Sequence, residues 1–139
     1  MLFAKEDAKN FDTGISGRLY VIQIIELAQT KKWHESLQSY IKFVRHPQDL
    51  VSAVTIEDVN KARLLLEKAL SESIAPWSLL NVAVGATAKV RRQAYLNLAR
   101  QCHPDRVSVS ARATEEANFL FQLIERAKVK IEASSNRYV

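Results

Sequence analysis

The segment TAKVRRQAYLNLARQCHPDR, residues 87–106, decides how the second half of this chain folds. Thr87 is a residue type that caps helices, because its side-chain oxygen accepts a backbone N–H of the first turn. An apolar stripe then recurs every four residues, widened by Tyr95; its members are Val90, Ala94, Leu98 and Cys102. No acidic residue occurs between Gly85 and Pro104. The pattern predicts a basic amphipathic helix of roughly sixteen residues that Pro104 ends.

Two further helices are predicted, one before this segment and one after it. Pro76 suits the first turn of a helix, here running from Trp77 to about Val82. After a loop to about Ala113, a last helix opens at Thr114, with acidic residues that suit its dipole. Its apolar positions repeat with heptad-like spacing; they are Ala117, Leu120, Phe121, Ile124, Ala127 and Ile131.

The stretch from Pro76 to Ile131, 56 of the 139 residues, resembles a J-domain, the module shared by DnaJ-type co-chaperones. PWSLLNV, residues 76–82, is similar to the PWEVLGV of that family's first helix, and AYLNLARQCHPDR, residues 94–106, to its AYRKLALKYHPDK. The spacing between these two motifs matches without a gap. In the last helix, residues 121, 124, 127 and 131 match the family's F, I, A and L.

The resemblance implies an antiparallel helical hairpin with the His-Pro-Asp loop at its tip. In that family the loop and the basic helix dock onto a DnaK-type heat-shock chaperone and stimulate its ATPase, so we expect a co-chaperone and no enzyme activity of its own. By position, the chaperone-binding residues are His103, Pro104, Asp105, Lys89, Arg91, Arg92, Arg100 and Arg106. The chain lacks the Gly/Phe-rich linker and the CxxCxGxG repeats of a full DnaJ.

The chain also departs from the family pattern. Gln93, Asn97 and Gln101 stand where the family often has basic residues, so the positive charge is shifted along the helix. Arg91 stands where an isoleucine usually packs, and we expect Val90 to replace it through a slight rotation of the helix. Lys128 replaces a common tyrosine.

The chemistry of the loop residues suits recognition. Pro104 restricts the backbone, Asp105 offers a carboxylate to an arginine of a partner, and the ring of His103 can donate or stack. A pre-shaped exposed turn loses little conformational entropy on binding. The alternative is that these three residues only end a helix and remain solvated.

The first 75 residues resemble no family but predict three helices. After a polar lead of about fifteen residues, a segment around Leu19–Ala28 has a narrow polar stripe, which predicts a helix buried on most sides. A second, amphipathic helix carries Trp33, Leu37, Tyr40, Ile41 and Val44, and ends near His46 because Pro47 follows. Thr55 and Asp58 resemble a capping box opening a third, whose apolar face is Val59, Ala62, Leu66, Ala69 and Leu70.

These patterns predict an all-α protein of about six helices, with an N-terminal helical region at residues 1–75. The resemblance implies that residues 76–139 form a J-domain. The N-terminal helices would give target specificity, and their surplus apolar surface either packs on the second half or binds another protein. Only three glycines occur, which disfavours tight hairpins and Gly-rich phosphate loops.

The charge and cysteine content place the excess positive charge in the second half of the chain and argue against a disulfide, a nucleophilic cysteine and a metal site. Residues 1–75 balance ten Lys and Arg with ten Asp and Glu, whereas residues 76–139 carry ten against five and hold the whole net charge of +5. Cys102 is the single cysteine, which excludes an internal disulfide, and its helical phase indicates a core residue rather than a nucleophile. We expect no cofactor and no metal, since His34 and His46 do not form a spaced metal motif.

The expected location is cytoplasmic, because the N-terminus lacks the pattern of a signal peptide and the longest apolar stretch is too short to cross a bilayer. Two other functions stay open. The chain could be a structural adaptor in a larger protein assembly without chaperone stimulation. Its basic helix could also bind nucleic acid, although no aromatic residues are interleaved to support this.

Overall fold

The computed structural model describes residues 5–106 and 110–135, and within these ranges it is all-helical, with no strand. Its six α-helices are α1 (Lys5–Gln29), α2 (Trp33–Arg45), α3 (Ile56–Ala69), α4 (Ala75–Leu79), α5 (Ala88–Cys102) and α6 (Ala111–Ser135). Short 3-10 turns lie at Val51–Ala53 and Pro104–Arg106. The all-α prediction is therefore confirmed.

The connection between α1 and α2 is a tight turn. Lys31 adopts the left-handed conformation with φ of 61°. Its N–H donates to the carbonyl of Ala28 at 3.1 Å, and the next N–H, of Lys32, donates to Leu27 at 2.8 Å. This pair of bonds is a Schellman motif, which satisfies carbonyls at the end of α1. The buried hydroxyl of Ser36 then donates to the carbonyl of Ile24 at 2.7 Å, tying α2 to α1.

The predicted faces of α2 and α3 are confirmed. All five apolar residues expected on each helix are buried. Thr55 caps α3, because its Oγ1 accepts the backbone N–H of Asp58 at 3.2 Å while its hydroxyl donates to the Asp58 carboxylate at 2.9 Å. α2 ends at Arg45, with His46 in an extended conformation before Pro47. Periodicity and capping chemistry were sufficient to predict the buried faces of these two helices and where α3 begins.

The prediction for α1 was wrong in two respects. The helix already runs from Lys5, within the expected polar lead, of which residues 1–4 lie outside the described part. It is also buried on one side only: Val21, Ile24 and Ala28 are in the core, whereas Leu19 is 60% exposed and Ile22 is 50% exposed. The elements that pack on α1 are α2, α3 and the turn at residues 51–53, and they leave Leu19 and Ile22 uncovered.

The second half differs from its prediction mainly at the helix ends. α4 stops at Leu79 rather than near Val82, and α6 begins at Ala111 rather than at Thr114. The expected cap of α5 is confirmed, since Oγ1 of Thr87 accepts the N–H of Val90 at 3.3 Å. Part of the expected loop before α6, residues 107–109, lies outside the described residues.

α5 and α6 pack side by side in opposite directions. Early in α5, Ala88 and Arg92 border the same cavity as Ile131 and Glu132 of α6. Seven residues further along α5, the hydroxyl of Tyr95 donates to Glu125 of α6 at 3.4 Å. The contacts move towards the start of α6 as they advance along α5, so the two helices are antiparallel.

A single hydrophobic core extends through both halves of the chain. α4 packs on α2 and α6, and α2 also contacts α6. The nearly complete burial of Tyr40 and Phe43 on one side and of Trp77 and Leu120 on the other reflects this packing. The sequence boundary between residues 75 and 76 falls inside α4, and across it the two halves share one core.

Candidate functional site

The residues of the His-Pro-Asp motif form an exposed turn at the end of α5. The side chain of His103 is 56% exposed and that of Asp105 is 89% exposed. Arg106 is exposed too, while the side chain of Pro104 lies outside the described residues. The turn leaves the helix sharply because His103 has an extended backbone, with φ of −60° and ψ of 135°.

Two hydrogen bonds within the motif hold this turn. The backbone N–H of Arg106 donates to the carbonyl of His103 at 2.8 Å, closing the 3-10 turn Pro104–Arg106. The backbone N–H of Asp105 donates to Nδ1 of His103 at 3.2 Å. Because Nδ1 then acts as an acceptor, the neutral ring carries its proton on Nε2. A carboxylate and an N–H donor are thus both available to a partner.

The carboxylate of Asp105 is not used within the motif. Its Oδ2 lies 3.5 Å from Nδ1 of His103, beyond ordinary hydrogen-bond distance, and both groups are exposed. Because Nδ1 acts as an acceptor in the neutral ring, it donates no hydrogen bond to this carboxylate. Asp105 is therefore accessible for a charged hydrogen bond with a second molecule.

The basic residues of α5 divide into two sets. Lys89, Arg92 and Arg100 are exposed, and at about 100° of rotation per residue they fall within roughly 80° of one another around the helix. Together with Arg106 in the turn, they give the exposed side of α5 its positive charge. Arg91 points about 140° away from the middle of this face, on the side that carries the buried Leu98 and Cys102.

The expected exchange of Val90 for Arg91 in the packing was wrong. Val90 is 48% exposed, whereas Arg91 is half-buried on the core side. The inward position of Arg91 is compatible with its charge, because Nη1 donates to the carbonyl of Ala86 at 2.8 Å. The structure thus separates Arg91 from the exposed basic face.

Cys102, directly before the motif, is a buried core residue, as its spacing predicts. Removal from water raises the pKa of its thiol to about 12, against a smaller opposing effect of Arg45. The thiolate is therefore essentially absent at neutral pH, and nucleophilic chemistry needs a thiolate. The residue anchors the end of α5 against the core.

α6 braces α5 behind the turn through polar as well as apolar contacts. Nζ of Lys128 lies 4.4 Å from the centre of the Tyr95 ring. Burial of the ring, together with the Glu125 carboxylate beside it, raises the pKa of Tyr95 above its ordinary value. Deeper in the interface, Leu98 and Ile124 are buried. The motif therefore projects from a helix that is held along its length.

One group that sequence reasoning missed lies where α2, α3 and α6 meet. The buried carboxylate of Glu116 accepts Nε and Nη2 of Arg63 at 2.9 and 2.7 Å, and it also accepts the hydroxyl of Tyr40. Burial and the negative charge of Glu116 raise the pKa of Tyr40 well above its ordinary value. The sequence suggested only a helix-dipole role for Glu116, because the spacing of residues 40, 63 and 116 shows no pattern along the chain.

Among residues 5–106 and 110–135, no three His, Cys, Asp or Glu side chains cluster in a way that could hold a metal ion. No helix in the same ranges combines the length and the apolar character needed to cross a lipid bilayer. Comparison of the chain with protein-family models, curated proteins and solved structures finds no match. The geometry of the turn and its basic helix is therefore the basis for a functional proposal.

Proposed function

We propose that this protein is a co-chaperone that recruits a DnaK-type heat-shock chaperone and stimulates its ATPase through the turn at His103, Pro104 and Asp105. The observation that carries the proposal is the exposed turn itself, held in shape at the end of a basic helix. The resemblance of residues 76–131 to a J-domain supplies the partner. In this proposal α5, the turn and α6 form the J-domain hairpin.

Electrostatics support a docking role for the exposed side of α5. The carboxylate of Asp105 can receive a bidentate arginine, while Lys89, Arg92 and Arg100 face an acidic surface on the chaperone. Charges at the rim of an interface mainly accelerate association, and they do so less at high salt. We assign Arg91 a smaller part, because its guanidinium is already bonded to a backbone carbonyl.

The direct test is Asp105→Asn in a chaperone ATPase assay. This substitution removes a charge that is almost fully exposed, so we expect unchanged helicity and melting but loss of ATPase stimulation to the basal rate. Glu57→Gln, an exposed carboxylate at the start of α3, is the matched control and should stimulate like the wild type. Stimulation retained by the Asp105 variant would contradict the proposal.

In the same proposal the N-terminal helices provide the target specificity. Ile15, Leu19 and Ile22 of α1 are 42%, 60% and 50% exposed, and their spacing puts them on one side of the helix. Apolar side chains grouped in this way are typical of a protein-binding surface. Which protein binds there is a question for pull-down experiments.

The exposed stripe on α1 also supports the alternative function, a structural adaptor within a larger protein assembly. An adaptor would retain its partners in a pull-down whether Asp105 is intact or replaced by Asn, and it would not change chaperone ATP turnover. A co-chaperone would lose the chaperone, and only the chaperone, from the same pull-down. Measured together, the two readouts separate the functions.

A further inference from the structure

A cavity of about 380 Å³ opens where the end of α4, the first turns of α5 and the last turns of α6 come together. Its apolar lining consists of Leu80, Ala88 and Ile131. Four charged side chains surround this lining: Arg91, Arg92, Lys128 and Glu132. The volume is sufficient for a small organic molecule.

The charges around the cavity do not balance. Three cations face one carboxylate, and Oε1 of Glu132 lies 3.9 Å from Nζ of Lys128 in a partly exposed pair. Such a pair neutralises one cation at most, which leaves an excess of about two positive charges at the cavity. An anion of charge −2 would match that excess.

Arg91 prepares the cavity for such an anion. Its Nη1 is fixed by the carbonyl of Ala86 at 2.8 Å, so little side-chain entropy remains to be lost on binding. Its Nε is buried and has no hydrogen-bond partner within the described part of the chain. Arg91 is half-buried, and a partly shielded guanidinium attracts a nearby anion more strongly than a fully solvated one does.

We propose that this cavity binds a small phosphate monoester. The phosphate group supplies a charge close to −2 above about pH 7 and three acceptor oxygens, which suit two guanidinium groups and an ammonium group. The apolar lining at Leu80, Ala88 and Ile131 accommodates the organic group that the ester carries. The site does not involve the turn at residues 103–106, but it shares Arg92 with the proposed docking face of α5. Phosphate binding is measured without the chaperone, so the two proposals are tested separately.

The test is an NMR titration of the full-length protein with phenyl phosphate, inorganic phosphate and benzoate at constant ionic strength. We expect saturable shifts of the amide signals of Leu80, Ala88 and Ile131, with phenyl phosphate binding tightest. Benzoate has the same ring but one charge, and inorganic phosphate has the charge but no organic group. A failure of phenyl phosphate to saturate, or equal binding of either comparison anion, would overturn the proposal.

Charge-removing variants localise the site. Arg92→Gln and Lys128→Gln should each weaken phenyl phosphate binding about tenfold, the loss of one charge-assisted interaction. Arg126→Gln and Lys61→Gln remove the same charge at exposed positions outside the cavity and should leave binding within twofold. Thermal melts of all four variants establish that they are folded. Equal weakening by all four would show a nonspecific effect of net charge and overturn the site.

The same phosphate group could come from a phosphorylated protein or from a free nucleotide. Titration with N-acetyl-phosphoserine amide and with adenosine monophosphate distinguishes these two sources. Saturable binding of at least one, lost in Arg92→Gln, is expected. If neither binds while phenyl phosphate does, the proposal that the cavity serves natural phosphate monoesters is wrong.

Discussion

The carboxylate of Glu116 joins three helices through two partners. Arg63 of α3 donates two hydrogen bonds to it, through Nε and Nη2, and Tyr40 of α2 donates a third. The guanidinium carbon of Arg63 also lies 4.9 Å from the centre of the Phe119 ring. Buried charges are tolerated only when they are paired in this way. The cluster therefore orients α6 relative to the first half of the chain.

Replacing Glu116 by Ala should lower the free energy of unfolding by about 3 kcal/mol. The change leaves the partly buried Arg63 without a counter-charge and Tyr40 without its acceptor. Urea denaturation measures the effect, and Glu115→Ala is the matched control, because this neighbouring carboxylate is exposed. The control should remain within about 0.5 kcal/mol of the wild type. Equal losses for both variants would mean that the cluster has no special role.

The buried thiol of Cys102 should make the stability of the fold depend on pH in the alkaline range. Its pKa is raised from 9.0 to about 12 by burial, so the unfolded chain releases the thiol proton first as the pH rises above 9. Unfolding then becomes more favourable by about 1.4 kcal/mol per pH unit. Between pH 8 and pH 10, the wild type should lose about 1.4 kcal/mol more than Cys102→Ala in urea titrations. Parallel losses in the two proteins would contradict this account of the thiol.

At the scale of single elements, α1 depends on a glycine for its close approach to the turn at residues 51–53. A Cβ added at Gly17 would lie 2.7 Å from Cγ2 of Val54 and 3.0 Å from the carbonyl oxygen of Leu50. Backbone atoms cannot move aside as easily as the end of a flexible side chain. A residue without a Cβ is therefore required at position 17 for the packing of α1, although glycine is a poor helix former.

Two glycines three residues apart allow a matched test of this packing. Gly17→Ala should destabilise the protein by about 1–3 kcal/mol, the range for overpacking, despite the better helix propensity of alanine. Gly14→Ala should instead stabilise it by up to about 1 kcal/mol, because its Cβ would meet nothing within 4 Å. Thermal and urea unfolding measure both. If both variants were more stable, or both less stable, than the wild type, the contrast in packing between positions 14 and 17 would be contradicted.

At the scale of the whole molecule, the first half of the chain supports the second. α2 covers parts of α4 and α6, and His34 at its start lies 3.1 Å from the carbonyl of Leu79 through Nδ1. The Glu116 cluster adds a buried ionic link between the same regions. Removing residues 1–71 would expose the apolar face of α4 and leave Glu116 without Arg63 and Tyr40.

A fragment of residues 72–139 should therefore be markedly less stable than the full chain. We expect a lower melting temperature and a more solvent-exposed Trp77, measured by circular dichroism and fluorescence, whereas the full chain should unfold in one cooperative transition. The melting temperature of the full chain carrying Glu116→Ala should lie between those of the fragment and the wild-type full chain. A fragment as stable as the whole protein would show that the second half folds independently.

Local patterns predicted α2, α3 and the cap of α5 because their causes are local. A stripe at helical spacing needs only one apolar surface to pack against, and Thr55 and Thr87 each meet an N–H three residues away. The same reasoning failed for α1, because the apolar surface of this helix is larger than the area that its neighbours cover. It also failed for Arg91, whose inward position depends on a hydrogen bond to Ala86 that residue type does not reveal.

The amino-acid sequence was sufficient to predict that the chain is helical, where most of its helices lie, and that a His-Pro-Asp turn ends a basic helix. These features follow from residue spacing, capping and proline chemistry over a few residues. Three other features became visible only in the folded chain: one side of α1 stays exposed, both halves share a core, and Glu116 pairs with Arg63 and Tyr40. Those outcomes depend on which surfaces meet across 53 and 76 residues of chain, a distance over which no local pattern specifies a partner.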